Sequence, residues 1–341
     1  MTDARTTAHP DAGNVIAAAA ARYGKLARAS LSLGRAASLR HVLEALASAK
    51  GALVQVENTS YCNYHCDYCP THSKQSTIAK PSRGHMSMAQ FRVILDENPR
   101  AAVVVIQGQG EPLMDPSLFE KIAMVRERGL LSQVISNGSL LDSAKVTRLA
   151  ADGPDIILFS VDCLSAGNSQ ASRNGMRYLE VLHGIRALTA ARRGKRRGVV
   201  GLLSIVHGSY DAEVEDALLR FNTLGIDVLL YKPLNRSFEG RIKGYRGSAV
   251  QPVPGRVRRQ LNYLLSHQRL ATIAPCAQLK YAFPYYLWDG TKTACCVLND
   301  RSYATSEYEP KALLERYQKR LSPPECERCS FFAGYPPGGA P

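Results

Sequence analysis

The stretch ENTSYCNYHCDYCPTH, residues 57–72, places cysteines at 62, 66 and 69 in a chain of 341 residues that holds nine. Thiols this close together act as metal ligands or reactive groups, because the thiolate is a strong, soft donor. Zinc would ask for a fourth local ligand, which His65 or His72 could supply. Iron is the alternative. Three thiolates on a four-iron cube leave one iron without a protein ligand, and an open iron can bind and cleave a small molecule. In a reducing compartment clustered cysteines are ligands or catalytic groups more often than disulfides, and the odd count agrees.

The elements that must position these thiols come next. Six β-rich runs alternate with helical stretches: ALVQVE (52–57), AAVVVIQ (101–107), LSQVIS (131–136), DIILFSVD (155–162), VVGLLSIV (199–206) and IDVLLYKPL (226–234). Helical periodicity falls between them at 117–130, 143–153 and 210–225. Strand then helix, repeated, means parallel pairing with right-handed crossovers. Six units cannot close an eight-stranded barrel, so the expected fold is α/β: a partial (β/α)6 TIM-like barrel, open, with its site at the C-terminal ends of the strands. The cysteine loop follows the first strand and therefore sits at that mouth. The expected organisation is an N-terminal helical segment over 1–51, the barrel over 52–235, a basic linker or helix over 236–270, a cysteine-rich unit over 271–330 and a disordered tail over 331–341.

With these motifs in order, the chain resembles the radical S-adenosylmethionine (radical SAM) superfamily, whose signature is C-x3-C-x2-C after the first barrel strand. The resemblance covers roughly residues 52–235. It implies that Cys62, Cys66 and Cys69 hold a [4Fe-4S] cluster that binds S-adenosylmethionine, and that Tyr68 packs on the adenine. GQGEP (108–112) resembles the family's GGEP, with Gln109 where the second Gly stands; Gly108, Gly110 and Glu111 keep the close backbone approach and the carboxylate for the methionyl amino group. SNG (136–138) resembles TNG, which brings in Ser136 and Asn137. SVD (160–162) matches polar positions facing the ribose and carboxylate, Ser160 and Asp162. Arg173 lies where relatives often place an arginine for the cofactor carboxylate. The resemblance implies cleavage of S-adenosylmethionine and removal of hydrogen from an unactivated C–H bond, with a flavodoxin- or ferredoxin-type protein as electron donor.

The second cysteine set is Cys276, Cys295, Cys296, Cys326 and Cys329, in a C-x13-G-x4-C frame followed by CERC. It resembles the SPASM/twitch extension, and with five cysteines a single auxiliary [4Fe-4S] cluster on Cys276, Cys295, Cys326 and Cys329 is implied, leaving Cys296 spare. A zinc ribbon would look the same in sequence. Cys163 follows the fourth strand and is either a small buried hydrophobe or a hydrogen donor. A thiol there can return hydrogen to a carbon radical from the opposite face, which is what epimerisation requires. A small-molecule, sugar- or aminocyclitol-like substrate with Cys163 as catalytic residue is therefore the leading expectation. Oxidation of a secondary alcohol by a twitch-type dehydrogenase is the alternative, and a peptide-modifying maturase is a third, against which the short segment 1–51 counts.

Lys and Arg number 43 against 29 Asp and Glu, for a net charge of +14, which favours anionic partners. The basic residues concentrate at 191–198 and 235–259 and read as solvated connectors. They also motivate a non-enzyme alternative, a zinc-stabilised RNA-binding protein, but no RNA-binding module or base-stacking aromatic pattern accompanies them. No stretch reaches the length of a membrane span and no secretory signal stands at the start, so a cytoplasmic location is expected.

Overall fold

The computed structural model describes residues 53–78, 82–162, 166–192, 198–206, 221, 223–233, 241–243, 279 and 283–329. The expected helical segment over 1–51, the tail over 331–341 and all of 236–270 except 241–243 lie outside the described residues, as do Cys163 and Cys276.

All six β-rich runs contain a strand: β1 (Leu53–Val56), β2 (Val103–Ile106), β3 (Leu131–Ser136), β4 (Ile156–Phe159), β5 (Val199–Val206) and β6 (Val228–Pro233). They lie side by side in chain order and every neighbouring pair is parallel. Runs such as VVVI form buried strands because β-branched side chains pack well on a pleated surface covered from both sides.

The β-rich runs end at residue 234, before the cysteine-rich unit, and here the structure differs. Two short strands, β7 (Tyr285–Tyr286) and β8 (Lys292–Thr293), extend the sheet. Gln55 pairs in parallel with Tyr285 across β1 and β7, and β8 returns antiparallel. A two-residue strand is too short to show a period, which is why the sequence hid it. The sheet thus has eight strands among the described residues.

Helices cover one face: α1 (Met88–Glu97), α2 (Leu118–Glu127), α3 (Ser143–Asp152), α4 (Ala166–Ser172) and α5 (Tyr178–Arg192), with α6 (Pro310–Gln318) and α7 (Pro324–Glu327) in the cysteine-rich unit. Ser87 and Gln90 start α1 with a reciprocal capping box, and Asp142 caps α3 through the Lys145 N–H at 2.7 Å. Val56, Ile106, Val134 and Phe159 meet Phe91, Ile122, Leu149 and Ile185 in one helix-side core. Truncating such a side chain costs about 2–5 kcal/mol. α5 is hard to read from its residues alone, because Gly184 weakens the helical signal. That glycine is needed because a Cβ there would lie 2.5 Å from the Leu141 Cβ.

The period of two along each strand sends alternate residues to the inner face. Val103 and Val105 pack there with Leu53, Leu131 and Ile135. Toward the C-terminal ends the same face turns polar, with the Gln107 Nε2 donating to the Gln55 Oε1 at 2.8 Å. On this face Leu131, Gln133 and Ile135 of β3 are half-buried, while Gln55, Val103 and Val105 are buried. Among the described residues no helix is long and apolar enough to cross a membrane.

Candidate active site

The loop after β1 carries Cys62, Cys66 and Cys69 across the strand ends. Its tight turn is closed by the Cys69 N–H on the Cys66 carbonyl at 3.0 Å and the Ser73 N–H on the Cys69 carbonyl at 3.1 Å. The far side is fixed by the end of α4 and the chain just after it, where the His65 and Asp67 N–H groups reach the Asn174 and Ser172 carbonyls at 3.2 and 2.9 Å. Asn63 ties the loop to β3: its Nδ2 donates to the Ser139 Oγ at 2.8 Å and its Oδ1 accepts from the Asn137 Nδ2 at 3.0 Å.

Burial pushes the Cys62 and Cys66 thiols up to about 12, and raises Cys69 as well. Such thiols keep their protons at neutral pH until a metal displaces them. Donors stand ready for the thiolates that would result: the Asn137 Nδ2 lies 4.0 Å from the Cys62 Sγ and the His72 N–H 3.4 Å from the Cys69 Sγ. Cys62, Cys66 and Cys69 are free thiols. A four-iron cube takes each thiolate at a different corner, and a loop of three thiols with N–H donors beside two of its sulfurs suits such a cluster.

The GQGEP loop presses against the cysteine loop, and its glycines explain how. A Cβ on Gly110 would sit 2.1 Å from the Thr59 carbonyl oxygen, and one on Gly108 would sit 2.5 Å from the Glu57 Cγ. Glu111, 1% exposed, accepts from the Leu113 N–H at 3.0 Å, the Ser136 Oγ at 2.7 Å and the Asn137 N–H at 2.6 Å. It thereby clamps the end of β2 to the SNG turn, where Gly138 takes a left-handed φ of 75°. Burial raises the Glu111 carboxyl, and these donors oppose the shift.

At the end of β4 the structure brings four predicted residues together. The Arg173 Nε and Nη2 reach the Asp162 carboxylate at 3.1 and 2.5 Å, and Nη2 also donates to the Ser160 Oγ at 3.0 Å. The Tyr68 hydroxyl donates to the same carboxylate at 3.0 Å, with its ring 5.6 Å from the Arg173 guanidinium carbon. Burial holds the Tyr68 hydroxyl protonated, well above its ordinary range. Burial works against the Arg173 charge, but Asp162 outweighs it and keeps the guanidinium charged. Removing one partner of so buried a pair costs about 3–5 kcal/mol.

In the second cysteine set, Cys295, Cys296, Cys326 and Cys329 all border one small apolar cluster built on Leu279, Val297, Leu298 and Leu313. Burial raises the Cys295 thiol, and the Leu298 N–H lies 3.5 Å from its sulfur. Arg241 links this unit to the first loop. Its carbonyl accepts from the Thr77 N–H at 2.9 Å, while its Nη1 donates to the Val297 carbonyl at 3.1 Å and its Nη2 to the Asn299 Oδ1 at 3.3 Å.

Several residues that sequence reasoning passed over complete the site. Asn63 and Ser139 join the loops, Gln109 faces Cys69, and Glu57 holds the Gln109 N–H at 3.0 Å. Beneath the GQGEP loop, Asp115 forms a fully buried pair with Lys121 at 2.7 Å and accepts from the Asn58 Nδ2 at 2.9 Å. Only Gln109 left a signal in the sequence, as a departure from a glycine pattern. Asn63, Ser139, Glu57 and Asn58 belong to pairs separated by tens of residues, with no spacing to betray them.

An open parallel barrel bearing a three-thiol loop at its mouth defines a class of α/β proteins built to hold a metal cluster and a ligand beside it. Residues 56–221 match the family model described as Radical SAM superfamily, so this part of the chain is a radical SAM domain. It is 26% identical over 184 residues to the tungsten-containing aldehyde ferredoxin oxidoreductase cofactor-modifying protein of Pyrococcus furiosus, covering 52% of this chain and 50% of that protein. It is 27% identical over 210 residues to the pre-heme d1 synthase of Dinoroseobacter shibae, covering 61% of this chain and 48% of that protein. The chain thus spans about half the length of these curated relatives. Among solved structures, Streptococcus suis SuiB bound to S-adenosylmethionine shares the fold with a TM-score of 0.57 at 14% identity, over 92% of this chain and 81% of SuiB.

Proposed function

We propose that the chain is an enzyme that cleaves S-adenosylmethionine at an iron–sulfur centre on Cys62, Cys66 and Cys69 and epimerises a small sugar- or aminocyclitol-like molecule in the barrel interior. The observation that carries this reading is the convergence of the cysteine loop with Glu111–Asn137 on one side and Tyr68–Asp162–Arg173 on the other. When bound there, the cluster and S-adenosylmethionine together supply a radical able to remove hydrogen from a C–H bond.

The chain's own residues divide the remaining work. Arg173 spends its Nε and Nη2 on Asp162 and Ser160, which leaves Nη1 for the carboxylate of the methionyl group. Glu111 has taken three donors, and one lone pair remains for the methionyl ammonium. Tyr68 offers its ring to the adenine. The neutral amides of Gln55 and Gln107 suit a hydroxyl-rich substrate, since they both donate and accept. Cys163, next after the buried Asp162, gives its S–H hydrogen to the substrate carbon radical. The thiyl left on Cys163 must regain one electron and one proton; Cys276, Cys295, Cys326 and Cys329 would hold an auxiliary cluster, which would supply that electron when reduced by a flavodoxin- or ferredoxin-type donor.

One observation favours a second reading, dehydrogenation of a secondary alcohol. Glu57 lies on the inner face with its carboxyl pushed up to about 7, chiefly by burial, a value suited to a general base. Anaerobic assays with iron-loaded protein in heavy water separate the two across a panel of aminosugars and aminocyclitols. Epimerisation places one solvent deuterium on the inverted carbon, and Cys163→Ala then still forms 5'-deoxyadenosine but no epimer. A product two mass units lighter than substrate means dehydrogenation. If the Cys62/Cys66/Cys69 triple Ala variant still forms 5'-deoxyadenosine, the whole reading is overturned.

A further inference from the structure

Gln109 occupies the middle of the Gly108–Gln109–Gly110 turn, and its placement is fixed from both sides. Gly110 packs on the Thr59 and Tyr61 carbonyls, and the Gln109 N–H is held by the Glu57 carboxylate at 3.0 Å. With its backbone pinned there, the side chain reaches the cysteine loop. Its amide oxygen lies 3.5 Å from the Cys69 Sγ and 3.1 Å from the Thr71 Oγ1. The His72 N–H approaches the same sulfur at 3.4 Å.

This arrangement suits a thiol, which can donate to an amide oxygen. A metal-bound thiolate has no hydrogen to give, and the same oxygen would then face a lone pair. A half-turn about the last side-chain bond exchanges the amide oxygen for the NH2 group at almost no steric cost. Thr71 does not resist the turn, because its hydroxyl both donates and accepts. The sulfur would then receive two N–H donors, one from the His72 backbone and one from the Gln109 side chain.

We propose that Gln109 is a positioning residue for the iron–sulfur centre, its amide donating to the Cys69 thiolate and raising the reduction potential of the cluster bound there. The inference rests on the cluster assignment made under Proposed function and goes beyond it. Hydrogen bonds to a ligating sulfur draw off negative charge, and this favours the reduced cluster, which carries one more electron. A glycine in the same place offers no donor and cannot do so.

The test is a redox titration followed by electron paramagnetic resonance, on full-length protein reconstituted with iron and sulfide. Gln109→Leu keeps bulk and removes the donor; Gln109→Glu keeps the shape but faces the thiolate with an acceptor. The signal of the first cluster should titrate at a more negative potential in the Leu variant. At fixed poise its reduced-to-oxidised ratio should fall about tenfold, equivalent to about 59 mV for one electron. The Glu variant should shift at least as far, and the auxiliary signal should not move in either. Equal potentials in native and both variants overturn the role of Gln109 while leaving the cluster assignment intact. A native chain that takes up no iron at Cys62, Cys66 and Cys69 overturns the assignment itself. If the Leu variant alone fails to load iron, Gln109→Gly, which removes the amide with the least strain, is measured in its place and judged by the same shift.

Discussion

A carboxyl buried inside a barrel must find donors or keep its proton, and Glu57 does some of each. It is 2% exposed, and burial pushes its carboxyl from an ordinary 4.5 to about 7, with Asp289 adding to the rise and the backbone N–H groups of Gln109, Trp288 and Gly110 opposing it. A raised folded-state value means that the fold binds the proton more tightly than the unfolded chain does. The resulting stability is fully present below about 4.5 and is lost as pH rises through about 7. In Glu57→Gln that loss is absent. The stability of the variant relative to native should therefore climb by about 2 kcal/mol between pH 5 and 8, as read from urea midpoints. A difference that stays flat over that range means Glu57 ionises normally. Nothing in ALVQVE announced this residue, because the sequence shows a charged end to a strand and not the β7 edge that buries it. Tyr68, Ser160, Asp162 and Arg173 were legible one at a time from their motifs. Their mutual bonds were not, since Tyr68 and Asp162 stand 94 residues apart.

Elements were legible in proportion to how far their local pattern agreed with their packing. β3 and β5 begin and end where their β-rich runs do, while α1 was missed because QFRVIL reads equally as strand or helix until the Ser87–Gln90 box commits it. The turn joining β2 to the site shows what an element asks of one residue. Gly110 meets backbone carbonyls of Thr59 and Tyr61 at 2.1 and 2.7 Å from a would-be Cβ, and backbone cannot move aside as a side chain can. Gly129 ends α2 with a φ of 67° but has nothing within 4 Å. Alanine at Gly129 should cost about 1–2 kcal/mol, the strain of the left-handed conformation alone. Alanine at Gly110 should cost more, about 3 kcal/mol, because overpacking displaces the Glu111 N–H from the Tyr61 carbonyl that it bonds at 2.7 Å. Denaturant midpoints of the two variants check the order. A Gly110→Ala protein as stable as Gly129→Ala would mean that the two loops are not pressed together.

For the molecule as a whole, the decisive feature is that the cysteine-rich unit is built onto the barrel and does not hang from a linker. β7 pairs with β1, the strand that leads into the cysteine loop, and the Glu57 N–H reaches the Tyr286 carbonyl at 2.8 Å. Gln90 at the start of α1 holds the Asp289 carbonyl at 2.9 Å, and Trp288 fills the space over Gly84, where a Cβ would lie 2.1 Å from its ring. Arg241 closes the other side. Sequence foresaw two cysteine sets but placed them in consecutive domains, since two-residue strands and single hydrogen bonds leave no periodic trace. The two sets should nonetheless hold iron independently, because each has its own loop and its own buried surroundings. If each carries a four-iron cluster, native protein should approach about eight irons, and replacing Cys326 and Cys329 together by alanine should leave about four. That variant should still cleave S-adenosylmethionine, and should lose turnover only where the auxiliary site is needed to move the second electron. Its thermal midpoint should fall for a separate reason: the apolar cluster around Leu298 loses its metal staple, and the loosened unit pulls β7 from the edge of β1. Iron analysis, 5'-deoxyadenosine yield and the melting curve are read on one preparation. Unchanged iron in this variant would remove the auxiliary cluster from the mechanism and leave the cysteine-rich unit as packing for the barrel edge.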